Sequence, residues 1–259
     1  AMISACEKVH RWEDAVALLE HARLAGMPPN IIACSSAISA CSKASFWVVA
    51  LGSLQRAVEE SMKPDIVMFN ATLNACRRGH RWMETLTLYR QMLSLGVAPN
   101  SSTYSVVSSA CEKGGRWQEA LGLVHQMRKN QHALDIRVLN SSISACGKGQ
   151  QWSQAMRLFQ QMQEDTMEPD DIIFGTVLSA MDRSGRSAEA LGLIRVLQDG
   201  KVQPNQAMVG SAVAACVAGG DMQSARRFLL DAEKWNGAGT LAYTAVVAEC
   251  GRTHAVSEA

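Results

Sequence analysis

Cysteine is the residue type whose spacing first raises the question of chemistry in this sequence. Cys6, Cys41, Cys76, Cys111 and Cys146 lie at intervals of 35 residues. Thiols form disulfides or bind metals, but equivalent positions of stacked helices lie roughly 8–10 Å apart, beyond the ~7 Å between Cα atoms that a disulfide spans. No Cys-x-x-Cys pair offers zinc-ligand spacing. The series therefore indicates small buried apolar side chains, in a compartment that is reducing or indifferent to thiols.

No other group of residues has the spacing of a catalytic site. The sequence lacks a phosphate-binding glycine loop, a cluster of metal-binding carboxylates and a nucleophile paired with a base. Its histidines show no zinc-deaminase pattern. No apolar run approaches the ~18 residues of a membrane span, and a net charge of +1 gives no overall basic field. We therefore expect no enzymatic activity, no metal, no cofactor and no membrane partner.

Basic residues form a second series with the same spacing, at the end of one helix-like stretch after another. The series, here called the cationic column, comprises Lys8, Lys43, Arg78, Lys113, Lys148 and Arg183. One interpretation is that each cation stabilises the negative end of a helix, by about 0.3–1 kcal/mol. The other is that stacking aligns these charges on one face, where the phosphates of a nucleic acid contact them.

Tryptophan shares this spacing, which makes the chain a tandem repeat. Trp12, Trp47, Trp82, Trp117 and Trp152 again lie 35 residues apart. Each ring either packs between copies or offers a platform for stacking bases, and the regular apolar periodicity favours packing. A fixed period of this length is typical of a solenoid. Residues 1–259 therefore form a single array, with full copies at 31–65, 66–100, 101–135, 136–170 and 171–205, a 34-residue copy at 206–239, and partial copies at 1–30 and 240–259.

Each copy has the pattern of two helices. Apolar residues recur every three or four positions, which is the helical period. Most copies close on Pro-Asn or Pro-Asp, where proline stops one helix and the Asx side chain caps the next. Glycines between the two helical stretches predict left-handed helix ends, at Gly79, Gly114-Gly115, Gly149 and Gly185. The sequence thus predicts an all-α fold, a right-handed α-solenoid superhelix of tandem helix-turn-helix repeats.

The repeat resembles the P-type pentatricopeptide repeat. The resemblance rests on the string 67–76 with its closing Pro99-Asn100, on the opening 101–105, and on Glu-Ala-Leu at 119–121 and 189–191. The tetratricopeptide repeat is a close competitor, with a 34-residue unit and protein partners. Five consecutive copies of 35 residues, four of them with a polar fifth residue, favour the pentatricopeptide repeat.

The resemblance implies sequence-specific binding of single-stranded RNA, one base per repeat. In the family, the fifth and the last residue of a repeat contact the base. Ionised Asp only accepts hydrogen bonds, which suits the ring N–H of guanine or uracil, whereas Asn also donates, which suits adenine or cytosine. The alternative is that both positions are only helix caps and polar surface. The pairs are Ser35 with Asp65, Asn70 with Asn100, Ser105 with Asp135, Asn140 with Asp170, and Gly175 with Asn205.

These pairs predict an RNA core of 5′-GCGU(A)-3′, whose last base is weakened by the missing side chain of Gly175. The resemblance also implies that the second residue of each copy flanks a base, the alternative being a buried core residue. Ser102 and Arg137 are not apolar, and the guanidinium of Arg137 could stack on a base. The base-flanking residues are Ile32, Val67, Ser102, Arg137 and Ile172.

The resemblance implies that the chain serves RNA processing, stability or translation in an organelle, either chloroplast or mitochondrion. It opens in the middle of a motif, so we expect a fragment whose targeting peptide lies outside it. Two other functions stay open. One is a tetratricopeptide-like scaffold for protein–protein interaction, and the other is a degenerate solenoid that assembles with other proteins.

Overall fold

The polypeptide is helical in the part of the chain that the structure describes. The computed structural model describes residues 2–9, 11–27, 29–165, 167, 169, 171–184, 186, 189–190, 192–193, 206–218, 220, 222–234, 244 and 247. These residues form helices, turns and short connections, with no strand among them. The all-α prediction from the helical period is therefore confirmed.

The helices form two alternating series, which correspond to the two helical stretches of each copy. The first series consists of α1 (Met2–Lys8), α3 (Ile31–Lys43), α5 (Ile66–Arg78), α7 (Ser101–Gly114), α9 (Ile136–Lys148), α11 (Asp171–Arg183) and α12 (Gln206–Ala218). The second consists of α2 (Trp12–Leu24), α4 (Trp47–Glu59), α6 (Trp82–Ser94), α8 (Trp117–Lys129), α10 (Trp152–Glu164) and α13 (Met222–Lys234). Nearly every one of these helices has 13 residues.

The chain divides into two compact units, residues 1–114 with 122–138 and residues 115–121 with 139–259. In the first unit α1 packs on α3, α3 on α5 and α5 on α7, and the second helices α2, α4 and α6 each pack against the first helices on either side. In the second unit α10 packs on α11, α11 on α12 and α12 on α13. Each unit is thus a stack of helical hairpins, the solenoid that the repeats predict.

The cysteine series lies where first helices meet. Cys41, Cys76, Cys111 and Cys146 are fully buried, each directly after a buried alanine. Small side chains at these positions let neighbouring helices approach closely. The described cysteines are free thiols, and burial raises the pKa of Cys41, Cys76 and Cys146 to about 11. The interpretation of the series as small buried apolar residues is confirmed for these four cysteines, whereas Cys6 is half-buried.

The tryptophan series packs against glycines of the following copy. A Cβ atom added at Gly79 would lie 2.5 Å from Cδ1 of Trp47, and one at Gly114 would lie 2.7 Å from Cε3 of Trp82. Such distances are far below van der Waals contact, so only glycine accommodates the ring. The guanidinium of Arg81 lies 4.5 Å from the centre of the Trp47 ring. With a backbone and a cation against it, this ring packs between copies and offers no platform for bases.

The glycines therefore have a different role from the one their position predicts. Gly79 has φ −74°, and Gly149 is likewise outside the left-handed region, so the prediction of a left-handed helix end is wrong at both. It is correct at Gly115, with φ 62°. The left-handed residue is instead the one after the glycine, His80 with φ 57° and Gln150 with φ 56°. Gly185 lies outside the described residues.

The packing of tryptophan on glycine makes a test of the helical stack possible. We expect Gly79→Ala to destabilise the protein by about 1–3 kcal/mol, because the new methyl group overlaps the Trp47 ring. Gly52→Ala is the control, since a Cβ there meets nothing within 4 Å and alanine should stabilise helix α4 by about 0.5–1 kcal/mol. Urea unfolding measures both. Equal effects of the two substitutions, or an undiminished cost of Gly79→Ala in a Trp47→Ala background, would contradict the packing argument.

Candidate nucleic-acid interface

The last residue of a copy begins the first helix of the next one through a side-chain hydrogen bond. Oδ1 of Asn30 accepts from the backbone N–H of Ala33 at 2.8 Å, and Oδ1 of Asp65 accepts from that of Met68 at 2.9 Å. Such bonds satisfy one of the backbone donors that a helix start leaves unpaired. The prediction that Asx residues cap these helices is confirmed.

These caps decide which side-chain atom of the last residue remains available to a ligand. A backbone N–H can only donate, so the atom bound to it is an oxygen. In Asp65, Oδ1 accepts the capping hydrogen bond, and the second oxygen, Oδ2, is a further acceptor outside the cap. Asn100, whose Oδ1 accepts from the N–H of Thr103 at 3.0 Å, retains the Nδ2 amide group, which is a donor. Aspartate and asparagine at this position therefore present opposite hydrogen-bonding character.

The structure brings the fifth and last residues of one copy into direct contact. Nδ2 of Asn70 donates to Oδ1 of Asn100 at 3.2 Å, and Thr103 donates from its hydroxyl to Oδ1 of Asn70 at 2.7 Å. Asn70 is half-buried and Asn100 exposed. Sequence reasoning missed Thr103, although a hydroxyl residue three positions after a capping Asx is the spacing of a reciprocal cap.

The other fifth residues occupy different environments. The hydroxyl of Ser35 is buried and has no hydrogen-bond partner, whereas Ser105 is half-buried. Oδ1 of Asn140 lies 3.2 Å from the hydroxyl of Thr176, which donates to the backbone oxygen of Ile172 at 2.7 Å. Gly175 is half-buried in α11. The partners expected for these last two residues, Asp170 and Asn205, lie outside the described residues.

Asp135 is held by an arginine two residues further on. Its Oδ1 accepts from the backbone N–H of Arg137 at 2.9 Å, and its Oδ2 accepts from the guanidinium, also at 2.9 Å. The hydrogen bonds from Arg137 lower the pKa of Asp135. The resemblance predicts that Arg137 flanks a base, and in the structure its guanidinium lies against the carboxylate of Asp135.

The base-flanking residues are on the surface. Ile32, Val67 and Ile172 are 71%, 55% and 63% exposed, respectively. Ser102 and Arg137 are exposed as well. Exposed apolar side chains at equivalent positions of successive copies are unusual for core residues, so the buried alternative does not hold. Because each stands three residues before a fifth-position side chain, one helical turn brings the two to the same face.

All six members of the cationic column are exposed. Arg78 donates from its guanidinium to the backbone oxygen of Lys43 at 3.0 Å, so it binds the C-terminal end of the preceding first helix. Nζ of Lys113 lies 3.1 Å from Nδ1 of His80, which is in the preceding turn. Each of these two cations thus extends back over the preceding copy. In the absence of RNA, Arg78 binds the negative end of a helix, as the first of the two interpretations of the column predicts.

Two kinds of site are absent from the part of the chain that the structure describes. No group of three or more His, Cys, Asp or Glu side chains is placed to hold a metal ion. None of the helices described combines the length and apolar character needed to cross a membrane.

Comparison with known proteins identifies the repeat. The model of the PPR repeat family matches residues 64–113, and the PPR repeat model matches residues 102–132 and 138–167. This chain contains pentatricopeptide repeats. Its recognition from residue spacing is therefore confirmed, and the tetratricopeptide alternative for the repeat type is wrong. Comparison with curated protein sequences gives no match.

Solved structures of pentatricopeptide repeat proteins share the fold of this one. Maize PPR10 matches with a TM-score of 0.77 and 22% identity, over 99% of this chain and 37% of that chain. PPR10 in complex with an 18-nt psaJ RNA element matches with a TM-score of 0.52 and 19% identity, over 94% and 39%. The PPR domain of Arabidopsis thaliana protein-only RNase P 1 in complex with tRNA matches with 0.57 and 16%, over 66% and 90%. The chain spans little more than a third of the maize structure.

The ion pair of this pentatricopeptide protein can be tested in the absence of RNA. We expect Arg137→Ala to raise the pKa of Asp135 towards the ordinary value of about 3.9, because the guanidinium is lost while the backbone N–H remains. A lowered pKa adds stability that is present above the unfolded pKa and lost as pH falls through the folded pKa. The stability difference between wild type and variant should therefore vanish in acid.

A titration followed by carboxyl NMR measures this pKa. Arg81→Ala is the control, because Arg81 pairs with Glu84 and its loss should leave the Asp135 titration unchanged. An Asp135 pKa unaffected by Arg137→Ala would show that the ion pair does not form in solution.

Proposed function

We propose that this chain binds single-stranded RNA in a sequence-specific way, one base per repeat, and catalyses no reaction itself. The observation that carries the proposal is the contact between Asn70 and Asn100, where a fifth and a last residue meet at an exposed edge beside an exposed apolar side chain. Two structures with the same fold are described as complexes with an 18-nt RNA element and with tRNA. Their likeness supports RNA as the partner.

The hydrogen-bonding character of the pairs supports base selection. Oδ2 of Asp65 can accept a hydrogen bond from the N1–H of guanine or the N3–H of uracil, whereas the Nδ2 group of Asn100 can donate one to the N3 of cytosine or the N1 of adenine. The amide N–H of Asn140 is a donor that suits a uracil carbonyl. The proposed sequence is 5′-GCGU(A)-3′, with no reading side chain at Gly175.

The exposed cations support backbone binding. A single strand that follows the fifth positions would pass the first-helix ends, where Lys113 and its equivalents stand. Phosphates there would replace weak contacts such as the one between Lys113 and His80 with charge-assisted ones.

Proteins of this family are typically organellar, and we extend to this chain a role in organellar RNA processing, stability or translation.

Salt dependence tests the cationic column. We expect the logarithm of RNA affinity to fall against the logarithm of salt concentration with a slope of about −3 to −4, because each phosphate contact on a single strand contributes about −0.7. Lys113→Ala should flatten the slope by about 0.7 and weaken all RNA sequences alike. Lys63→Ala, which removes an exposed lysine outside the column, is the control. Filter binding at several salt concentrations measures these slopes, and a slope near zero would favour a protein-binding scaffold instead.

Base selection is tested by a substitution at a last position that leaves the cap intact. We expect Asp65→Asn to shift the preference at the first base from guanine towards adenine, because the free acceptor Oδ2 becomes a donor. An unpaired polar edge costs about 1–3 kcal/mol, so affinities should change roughly 5- to 150-fold for the first base only. Competition binding with RNAs that vary one base at a time measures this. Equal changes for guanine and adenine would contradict one-base-per-repeat binding.

A further inference from the structure

Thr103 is the third residue of its copy, and its side chain is fully buried beside the Asn70–Asn100 pair. Its hydroxyl oxygen lies 2.7 Å from Oδ1 of Asn70, 2.9 Å from Oδ1 of Asn100 and 3.2 Å from the backbone nitrogen of Asn100. A buried hydroxyl between two amide side chains has no water to compete for its hydrogen bonds. The three side chains therefore form one closed network.

Hydrogen-bond balance assigns every atom of this network. The N–H of Thr103 donates to Asn100, so the inward atom of the Asn100 side chain is its oxygen. The Asn70 atom that meets this oxygen must be a donor, its Nδ2 group. Oδ1 of Asn70 then points to Thr103 and needs a proton from it. The Thr103 hydroxyl also lies 2.9 Å from Oδ1 of Asn100, but that oxygen already accepts from two donors, so the single hydroxyl proton is assigned to the shorter bond, to Oδ1 of Asn70.

We propose that Thr103 is a positioning residue for base selection, which fixes the Asn70 amide so that the pair presents only N–H donors to the second base. One N–H of Asn70 and the Nδ2 group of Asn100 remain outward. Two adjacent donors match the N3 and O2 acceptors of cytosine, whereas uracil offers a donor at N3. The inference rests on the proposed function, since it concerns which base this pair selects.

Thr103 is specific to this copy. The third residues of the other described copies are Ala33, Met68, Val138, Ile173 and Met208, and none of them has a hydroxyl group. At those copies the orientation of the fifth residue depends on other contacts or on the base itself. Preorganised donors save the cost of orienting a side chain when the ligand arrives, so we expect the second base to be selected more strictly than the capping pair alone would achieve.

Removal of the hydroxyl with the shape retained tests the proposal. We expect Thr103→Val to lower the preference for cytosine over uracil at the second base by roughly three- to tenfold, the effect of one lost hydrogen bond, and to leave the first and third bases unchanged. Thr103→Ser keeps the hydroxyl and should restore the preference. Thr72→Val is the matched control, because Thr72 is equally buried and donates only to the backbone oxygen of Met68.

The outcomes separate this inference from the proposed function. A wild-type protein without base preference at any position overturns the proposed function and this inference together. A wild-type preference that Thr103→Val leaves intact, or that Thr103→Ser fails to restore, overturns the inference alone. The free protein offers a second measurement should valine impair folding. The Thr103 hydroxyl proton should be protected from exchange in NMR spectra, and rapid exchange with water would overturn the network.

Discussion

The hydrogen bond from a backbone N–H to an Asn or Asp oxygen is the constraint on which the repeat depends. At Asn30, Asp65 and Asn100 it starts the next first helix three residues before a buried core begins. Because the donor is part of the backbone, its polarity is fixed, and so is the atom that the capping residue turns away from the helix. A bond required for folding thus determines which chemical group the surface presents.

Tryptophan and glycine supply the second constraint, which acts between copies. The ring of Trp47 lies against the backbone of Gly79, and that of Trp82 against Gly114. In the copy at 31–65 the glycine is replaced by Ala44, and Trp12 instead stacks on Phe46 with ring centres 4.1 Å apart. The stacking of Trp12 on Phe46 thus takes the place of the packing of a tryptophan on glycine. This explains how the degenerate copy stays within the stack.

The sequence alone predicted the features that follow from the 35-residue repeat. It predicted few of the contacts between individual side chains. Paired helices, buried cysteines and Asx caps follow from spacing and residue type, because each is decided within one copy or by equivalent neighbours. The role of Gly79 was misjudged because the atom that excludes a side chain there belongs to Trp47, 32 residues earlier. The contacts of Asp135 with Arg137 and of Asn70 with Thr103 are properties of individual residues, which a repeat average conceals.

The proposed contact of the last residue with a base is compatible with its helix cap because of a property shared by aspartate and asparagine. They rank together among the strongest helix-capping residues, and both place an oxygen on the backbone N–H. They differ only in the second atom, an acceptor in Asp65 and a donor group in Asn100. Exchange of one for the other changes the outward-facing group and keeps the cap. The start of the helix is therefore unaffected by a substitution that would alter the proposed contact with a base. Serine caps helices equally well but has no second polar atom, which makes Asn and Asp the residues that can serve both the fold and a varied RNA sequence.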